Sequence, residues 1–550
     1  MRKTILIFKK LLSLVVVTPE VKKFKKFARQ NRLKINESKG YIFVEDRDWA
    51  LDEISLLHFL PEAASHFSAK IMLYRMDQED LLRSVIWKLV RKFSVPNAIS
   101  KCESLFISCR RGVYPEHSNA IGRFTSGTIT REDLEDFRYR DILLGDLIYD
   151  QYLRSKSSVT INFEDPNFVT VFSSMLQYVD KWIDIFQKFK IHAVLVSDPC
   201  YQRGIPARIA MQRNIEVFCL DVTIASRMNK ENPNPYLNEC KNFQENFANL
   251  PGEARAQHAE IAKKRLELRI QGIPDDLRLT RPNKHMQEIK SPKDGDGELV
   301  KVLIALHDFN DAPHFMGKAF YPDFAVWLEE IGEMTKDRNL VCFIKPHPYA
   351  LTENSIYLKG ILSRFAHFQL ISSESTIASL AEAGIDYCIT VYGSVAHEFP
   401  YLGIPVINSS SLNLHKDYKF SYTPKNVEEF KEILSDLKQF KFIPNIEDLY
   451  FYYYMRFVFN LISWCMPEYQ RFLSKFRTHR VTDNRAVYKE FFLAGNHINL
   501  LCTRAAVANY LKSNDLVLGR KHYSDVCRSV TRGCKCHLMR EEQLVMESIL

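Results

Sequence analysis

Short β-branched runs alternate with longer helix-periodic stretches, and along this 550-residue chain the alternation happens twice. In the first stretch, about residues 35–225, "YIFVE" (41–45), "AKIMLYR" (69–75), "ESLFISC" (103–109), "HAVLVSD" (192–198) and "IEVFCLD" (215–221) read as strands. Segments of helical spacing, such as "NFVTVFSSMLQYVDKWIDIFQKFK" (167–190), stand between several of them. Such alternation implies crossover helices, which cover both faces of a parallel sheet. The polar stretch 226–298 ends in "KSPKDGDGE" and can bury little, so it reads as a helical linker. The alternation restarts with "VKVLIALHD" (300–308), a helical pattern near 321–336, "LVCFIKPHP" (340–348), "FQLIS" (368–372), "YCITVYGS" (387–394) and "IPVINS" (404–409). Two α/β sandwiches in series are expected, over 1–225 and 299–444, with 226–298 between them and a helical extension over 445–550.

Composition is compatible with this: 46% hydrophobic and 12% aromatic residues suit a globular chain. No apolar stretch reaches the ~20 residues of a membrane span. At the N-terminus, "MRKTILIFKKLLSLVVVTPE" is cut by Lys9 and Lys10 and lacks a small-residue cleavage site. It reads as a first strand or a surface helix rather than an export signal. Twelve cysteines, mostly inside apolar runs, suit buried thiols in a reducing cytosol. Residues 471–550 hold 14 Lys/Arg against 7 Asp/Glu, which fits either an anionic membrane surface or a solvated helical face.

Open parallel sheets bind ligands beyond the carboxyl ends of their strands. In the second stretch three strands end in polar clusters. Pro346 and Pro348 stiffen the backbone around His347, so Lys345 and His347 project from a strand exit, a pair suited to phosphate or carboxylate. A rigid turn with a solvated lysine is the alternative. Gly393-Ser394 precedes helix-compatible sequence, and a helix N-terminus attracts anions; capping alone would also account for Ser394. Glu398 lies one turn on, where a carboxylate could accept both hydroxyls of a ribose or favour the helix dipole. His307, Asp308, Asp311 and His314 follow the first strand as candidates for phosphate or substrate contact, metal binding, or loop structure.

"IKPHP" followed by "GS-x3-E-x4-GIPVI" resembles the nucleotide-sugar half of GT-B glycosyltransferases. It is most similar to bacterial capsule and surface-polysaccharide transferases, including capsule Kdo transferases, and more distantly to UDP-N-acetylglucosamine 2-epimerase. "HDFNDAPH", "FRYRDILLGDLIYDQYLR" (137–154) and "VSDPCYQRGIPARIA" (196–210) look like segments of uncharacterised surface-carbohydrate proteins. The resemblance spans 299–410, is loose over 137–221 and is absent from 445 onward. It implies two Rossmann-like domains facing across a cleft. It also places His347, Ser394 and Glu398 at the donor phosphate and nucleotide ribose, with Gly393 allowing close approach and Lys345, His307, Asp308 and His314 nearby. Two departures stand out: Tyr392 replaces a small residue, and Phe399 replaces the second glutamate of the epimerase pattern.

The implied reaction moves a sugar from a nucleotide-sugar donor, CMP-, UDP- or GDP-linked, to a surface or capsular polysaccharide. The alternatives are a sugar-nucleotide epimerase or hydrolase on the same fold, or a non-catalytic assembly factor that binds a sugar nucleotide. The expected partners are that donor, an oligosaccharide or lipid-linked acceptor and an anionic membrane surface, with no nucleic acid. Cytoplasmic placement, peripheral to the inner membrane face, follows. No resident metal or cofactor is expected. Transfer to a hydroxyl calls for a base, for which Asp198 ranks first and Glu45 second, ahead of Asp46, Asp48, Asp146, Asp150 and Tyr201. His347 is expected to act at the leaving phosphate. Asp46-x-Asp48 is similar to the metal-binding motif of GT-A transferases, but only 45 residues precede it. Cys527, Cys534, Cys536 and His537, with His522 nearby, have poor zinc spacing.

Overall fold

The computed structural model describes residues 18–32, 38–47, 49–78, 84–85, 87–88, 94–109, 114–125, 130–156, 158–271, 299–336, 338–347, 352–460, 463–466, 469 and 484–523. Asp48, Cys527, Cys534, Cys536 and His537 lie outside them. The first sheet opens with β1 (Tyr41–Glu45), β2 (Lys70–Gln78) and β3 (Cys102–Cys109). A small antiparallel pair follows, β4 (Arg138–Tyr139) with β5 (Ile142–Leu143). The sheet resumes with β6 (Ile191–Val196), β7 (Glu216–Leu220) and β8 (Ala225–Met228). Its spatial order is β3-β2-β1-β6-β7-β8, parallel except for the antiparallel edge strand β8.

The second sheet holds β9 (Val300–Ala305), β10 (Leu340–Lys345), β11 (Phe368–Leu370), β12 (Tyr387–Thr390) and β13 (Val406–Asn408). Its order is β11-β10-β9-β12-β13, all parallel. Both sheets therefore repeat the 3-2-1-4-5 order of a Rossmann-like fold. All ten strand runs read from the sequence fall on strands; β8 and the small pair β4–β5 are the additions.

Alternation across the second sheet explains why both of its faces are apolar. Val302, Ile304, Cys342, Ile344, Ile389 and Ile407 face helices Phe324–Thr335, Thr352–Arg364 and Val427–Ser435 through Trp327, Ile331, Leu358 and Phe430. Leu303, Val341, Phe343, Cys388 and Val406 face the other way, onto Leu380, Ala396 and Phe399. Fully burying each such side chain contributes about 1.5–3 kcal/mol, so a doubly covered sheet can hold its exits rigid.

Contacts divide the chain into two units, 1–113 with 173–239 and 461–550, and 114–172 with 240–460. These boundaries differ from the linear ones expected, 1–225, 226–298, 299–444 and 445–550. Helix Gly252–Ile270, expected within a linker, packs on helix Ile446–Tyr454 in the second unit. In the first unit, helix Leu500–Lys512 packs on helix Ala50–His66. There Arg227 N donates to Leu516 O (2.7 Å) and Leu518 N to Ala225 O (2.9 Å), covering the open edge of β8.

Candidate functional site

Ligands of such sheets sit where strand order reverses. In the second sheet that point lies between β9 and β12, and the polar exits converge there. His307 follows β9 and is half-buried between two rings, stacked on Phe324 (centroids 4.8 Å) and tilted against Tyr392 (4.5 Å). Burial, then the nearness of His347, push its pKa down to about 3, so it is neutral. Tyr392, unexplained by the sequence motif, thus fixes His307; its hydroxyl also donates to Ala312 O (3.4 Å). Phe324 is held in turn by Asp323, which caps its helix by accepting from Ala325 N and Val326 N (2.9 and 2.8 Å). Tyr149 and Thr160 donate to the other oxygen of Asp323, at 2.5 and 2.6 Å.

Lys345 ends β10 and donates to Ser373 O at 2.6 Å. Burial lowers its pKa, while Glu398 and Glu374 pull the other way. His347 follows it, half-buried, beside His307. Beyond β12, Gly393 N donates to Thr390 Oγ1 (3.3 Å), and a Cβ on Gly393 would meet that oxygen at 2.7 Å. Only glycine allows this turn. Ser394 adopts helical angles (φ −63°, ψ −18°) and its side chain makes no capping bond, so capping does not account for it. Gly403, at φ +78°, turns the chain back toward β13, where a non-glycine residue would be strained.

Three expected contacts are otherwise engaged. Glu398 is 7% exposed, and its Oε1 accepts from both Arg269 Nε and Nη2 at 2.6 Å. The bare carboxylate expected for a ribose is half of a buried ion pair. Asp308 Oδ1 accepts from Asn310 N (3.2 Å) and Asn354 Nδ2 (2.8 Å), ordering its loop. His314 is corrected outright: its ring lies between Asp150 (2.6 Å) and Glu135 (2.9 Å), all three buried. Burial alone would discharge the imidazole, but the two carboxylates outweigh it and hold its pKa up at about 10. Both ring nitrogens are committed, leaving none for a donor. Asp150, proposed as a base, is the same cluster's carboxylate, raised to about 6 by burial.

This cluster makes a testable pH dependence. The folded pKa of His314 stands above its ordinary 6.5, so the folded state binds more protons between 6.5 and about 10. Its stabilisation is complete below pH 6.5 and is lost as pH rises through 10. The melting-temperature advantage of wild type over His314→Gln is expected to shrink across that window, and a constant difference would show His314 uncharged.

In the first sheet the reversal lies between β1 and β6. There an open pocket of about 420 Å³ is lined by Glu45, Asp46, Arg47, Trp49, Tyr74 and Arg203, among others. Glu45 Oε2 accepts from Ser197 N (3.2 Å) and Ser197 Oγ (2.9 Å), and Arg203 lies 3.4 Å from its other oxygen. Burial raises its pKa against the pull of Arg203 and Arg47. Asp198 accepts from Cys200 N (3.2 Å) and from Arg203 Nη1 (3.4 Å). Tyr201, next to it, holds φ +56°, a strained backbone for a non-glycine residue. Asp46 accepts from Trp87 Nε1 at 2.6 Å, a buried structural bond. Asp146 accepts from Leu147 N at 2.8 Å, within its own helix start.

Sequence reasoning missed Asp52, Tyr74, Arg47, Arg203 and Arg269. Asp52 is buried 3.6 Å from Arg47, and burial raises its pKa to about 7. The Tyr74 hydroxyl is buried without a hydrogen-bond partner among the described residues. Arg47 stands between Asp46 and Asp48, and Arg203 inside "VSDPCYQRGIPARIA"; the signal was a cation within two residues of each strand-end acid or its turn. His522 donates to, or accepts from, its own turn at Gly519 and pairs with Asp515 (2.9 Å), a structural role. Among the described residues no group of three or more His, Cys, Asp or Glu could hold a metal ion.

No protein-family model matches the chain, and no curated protein matches it. Among solved structures, a UDP-N-acetylglucosamine 2-epimerase aligns at 10% identity over 76% of this chain and 90% of its own, with a TM-score of 0.20. A glycosyltransferase from Rickettsia africae ESF-5 aligns at 11% identity, 87% and 100% coverage and a TM-score of 0.24. The calicheamicin glycosyltransferase CalG4 aligns at 10% identity, 76% and 93% coverage and a TM-score of 0.22. At such TM-scores the likeness carries no argument. The fold class rests on the strand order of the two sheets.

Proposed function

We propose that the chain is a GT-B-type glycosyltransferase that binds a nucleotide-sugar donor at the second sheet and transfers its sugar to a hydroxyl of a surface-polysaccharide acceptor. The observation that carries this reading is the convergence at one switch point of Lys345, His347, the Gly393 turn and an uncapped Ser394 hydroxyl. Lys345 and His347 would offset charge on the departing phosphate, and Gly393 lets backbone N–H groups approach it. Arg269 orients Glu398, and a carboxylate has about four acceptor sites, so ribose hydroxyls would share it with the Arg269 bonds. In the first sheet Glu45 would take the acceptor proton, supported by Ser197 and Arg203.

Calorimetric titration with CMP, CDP, UDP and GDP tests the donor site. One nucleotide is expected to bind, and Lys345→Ala and His347→Ala are each expected to weaken it roughly tenfold to a hundredfold, the loss of one charge-assisted hydrogen bond. Binding of none of the four, or binding untouched by both variants, removes the assignment. Donor turnover without acceptor that yields an altered sugar would favour the epimerase instead.

A further inference from the structure

Among the described residues, three of the most exposed apolar side chains share one helical corner. Helix Asn484–Leu493 ends at Ala494-Gly495, where Gly495 turns at φ +81°, and the chain re-enters helix at Leu500 through the single turn Asn496–Asn499. Leu493, Ile498 and Leu501 stand out from this corner at 60%, 72% and 74% exposure. A lone exposed leucine needs no explanation, whereas a group of three at one turn does.

Helix Pro19–Gln30 lies against the same corner. Phe24 packs on Tyr488 and Phe491 (centroids 4.6 and 5.5 Å), and Phe27 on Phe492 and His497 (5.6 and 5.9 Å). The Lys23 ammonium stands 4.3 Å from the Phe492 ring. With Phe24 and Ala28 turned inward, Lys22, Lys23, Lys26 and Arg29 are exposed, and Glu20 is the sole acid of that helix. Protruding apolar tips are thus flanked by cations of one sign.

We propose that this corner docks on an anionic lipid bilayer, with Leu493, Ile498 and Leu501 entering the boundary between headgroups and acyl chains. Lys22, Lys23, Lys26 and Arg29 then face the lipid phosphates. Lysines are depleted from the cores of protein interfaces but are drawn to anionic leaflets, their stems lying along apolar surface. Among the described residues no helix is long and apolar enough to cross a membrane, and the contact proposed here is a peripheral one. The inference is independent of which reaction the chain performs.

Co-sedimentation of the full chain with vesicles tests it, using phosphatidylcholine alone and phosphatidylcholine with roughly one third phosphatidylglycerol. Binding is expected to the anionic vesicles only, weakening with salt. The triple variant Leu493→Ser/Ile498→Ser/Leu501→Ser and the charge variant Lys22→Glu/Lys26→Glu are each expected to bind about tenfold more weakly. All five positions are exposed, so unchanged melting temperatures check the fold. Absence of binding, equal binding to neutral vesicles, or binding unchanged in either variant overturns the proposal. So does a serine variant that turns a dimer into a monomer, which would make the corner a self-association face.

Discussion

Arg269→Met is expected to lower the unfolding free energy by about 3–5 kcal/mol, because it strands the Glu398 carboxylate without its cation in a buried site. Both side chains of the pair are only 9% exposed, and both guanidinium contacts to Glu398 Oε1 are 2.6 Å. Helix Gly252–Ile270 grips its neighbours through two further bonds, Tyr401 Oη donating to Glu267 (3.0 Å) and Arg265 donating to Phe457 O (2.5 Å). Chemical denaturation measures the loss. The double variant Arg269→Met/Glu398→Leu removes both charges and is expected to recover most of it. Additive losses in that double-mutant cycle would show that the two side chains are not coupled.

Glu45→Gln is expected to reduce transfer by about 10²–10⁴-fold, the usual worth of a positioned general base, while leaving donor affinity unchanged. Burial raises the Glu45 pKa, bringing it closer to the working pH of a base. Since the base must be ionised, wild-type transfer is expected to fall off on the acid side through that raised pKa, above the ordinary 4.5 of a glutamate. Asp198→Asn is expected to cost less. A larger loss at Asp198, with an acid limb unmoved by Glu45→Gln, would transfer the base assignment.

How far the sequence reveals this molecule depends on the range of the interactions involved. Strand positions follow from local β-branched runs, and "YIFVE" coincides with β1 because five residues suffice to specify a doubly buried strand. The Gly393 turn and the Gly403 return are likewise local. By contrast, nothing near "APHF" announces that His314 meets Glu135 and Asp150, which lie 179 and 164 residues away. Nor does the motif around Glu398 announce Arg269, 129 residues earlier in a stretch whose composition suggested a linker. Spacing identified which side chains carry chemistry; long-range pairing decides which of them remain available. Tyr392 shows the reverse case, since a residue that broke the motif supports His307.

The return of residues 484–523 to the first unit bears on the order in which the chain acquires structure. Helix Leu500–Lys512 covers the helix Ala50–His66, and the strap Leu516–Leu518 closes the edge of β8, so contacts of the first sheet are completed by residues that leave the ribosome after both sheets have emerged. Closing so long a loop costs little extra free energy, since the entropy grows only logarithmically with length, but it delays the event. During synthesis the second unit, with its own sheet and covering helices within 114–172 and 240–460, has all its residues first. The first unit meanwhile waits with an uncovered helix face and an open strand edge. Aggregation during expression would begin at that edge, and a nascent chain halted before residue 484 would be held in that vulnerable state.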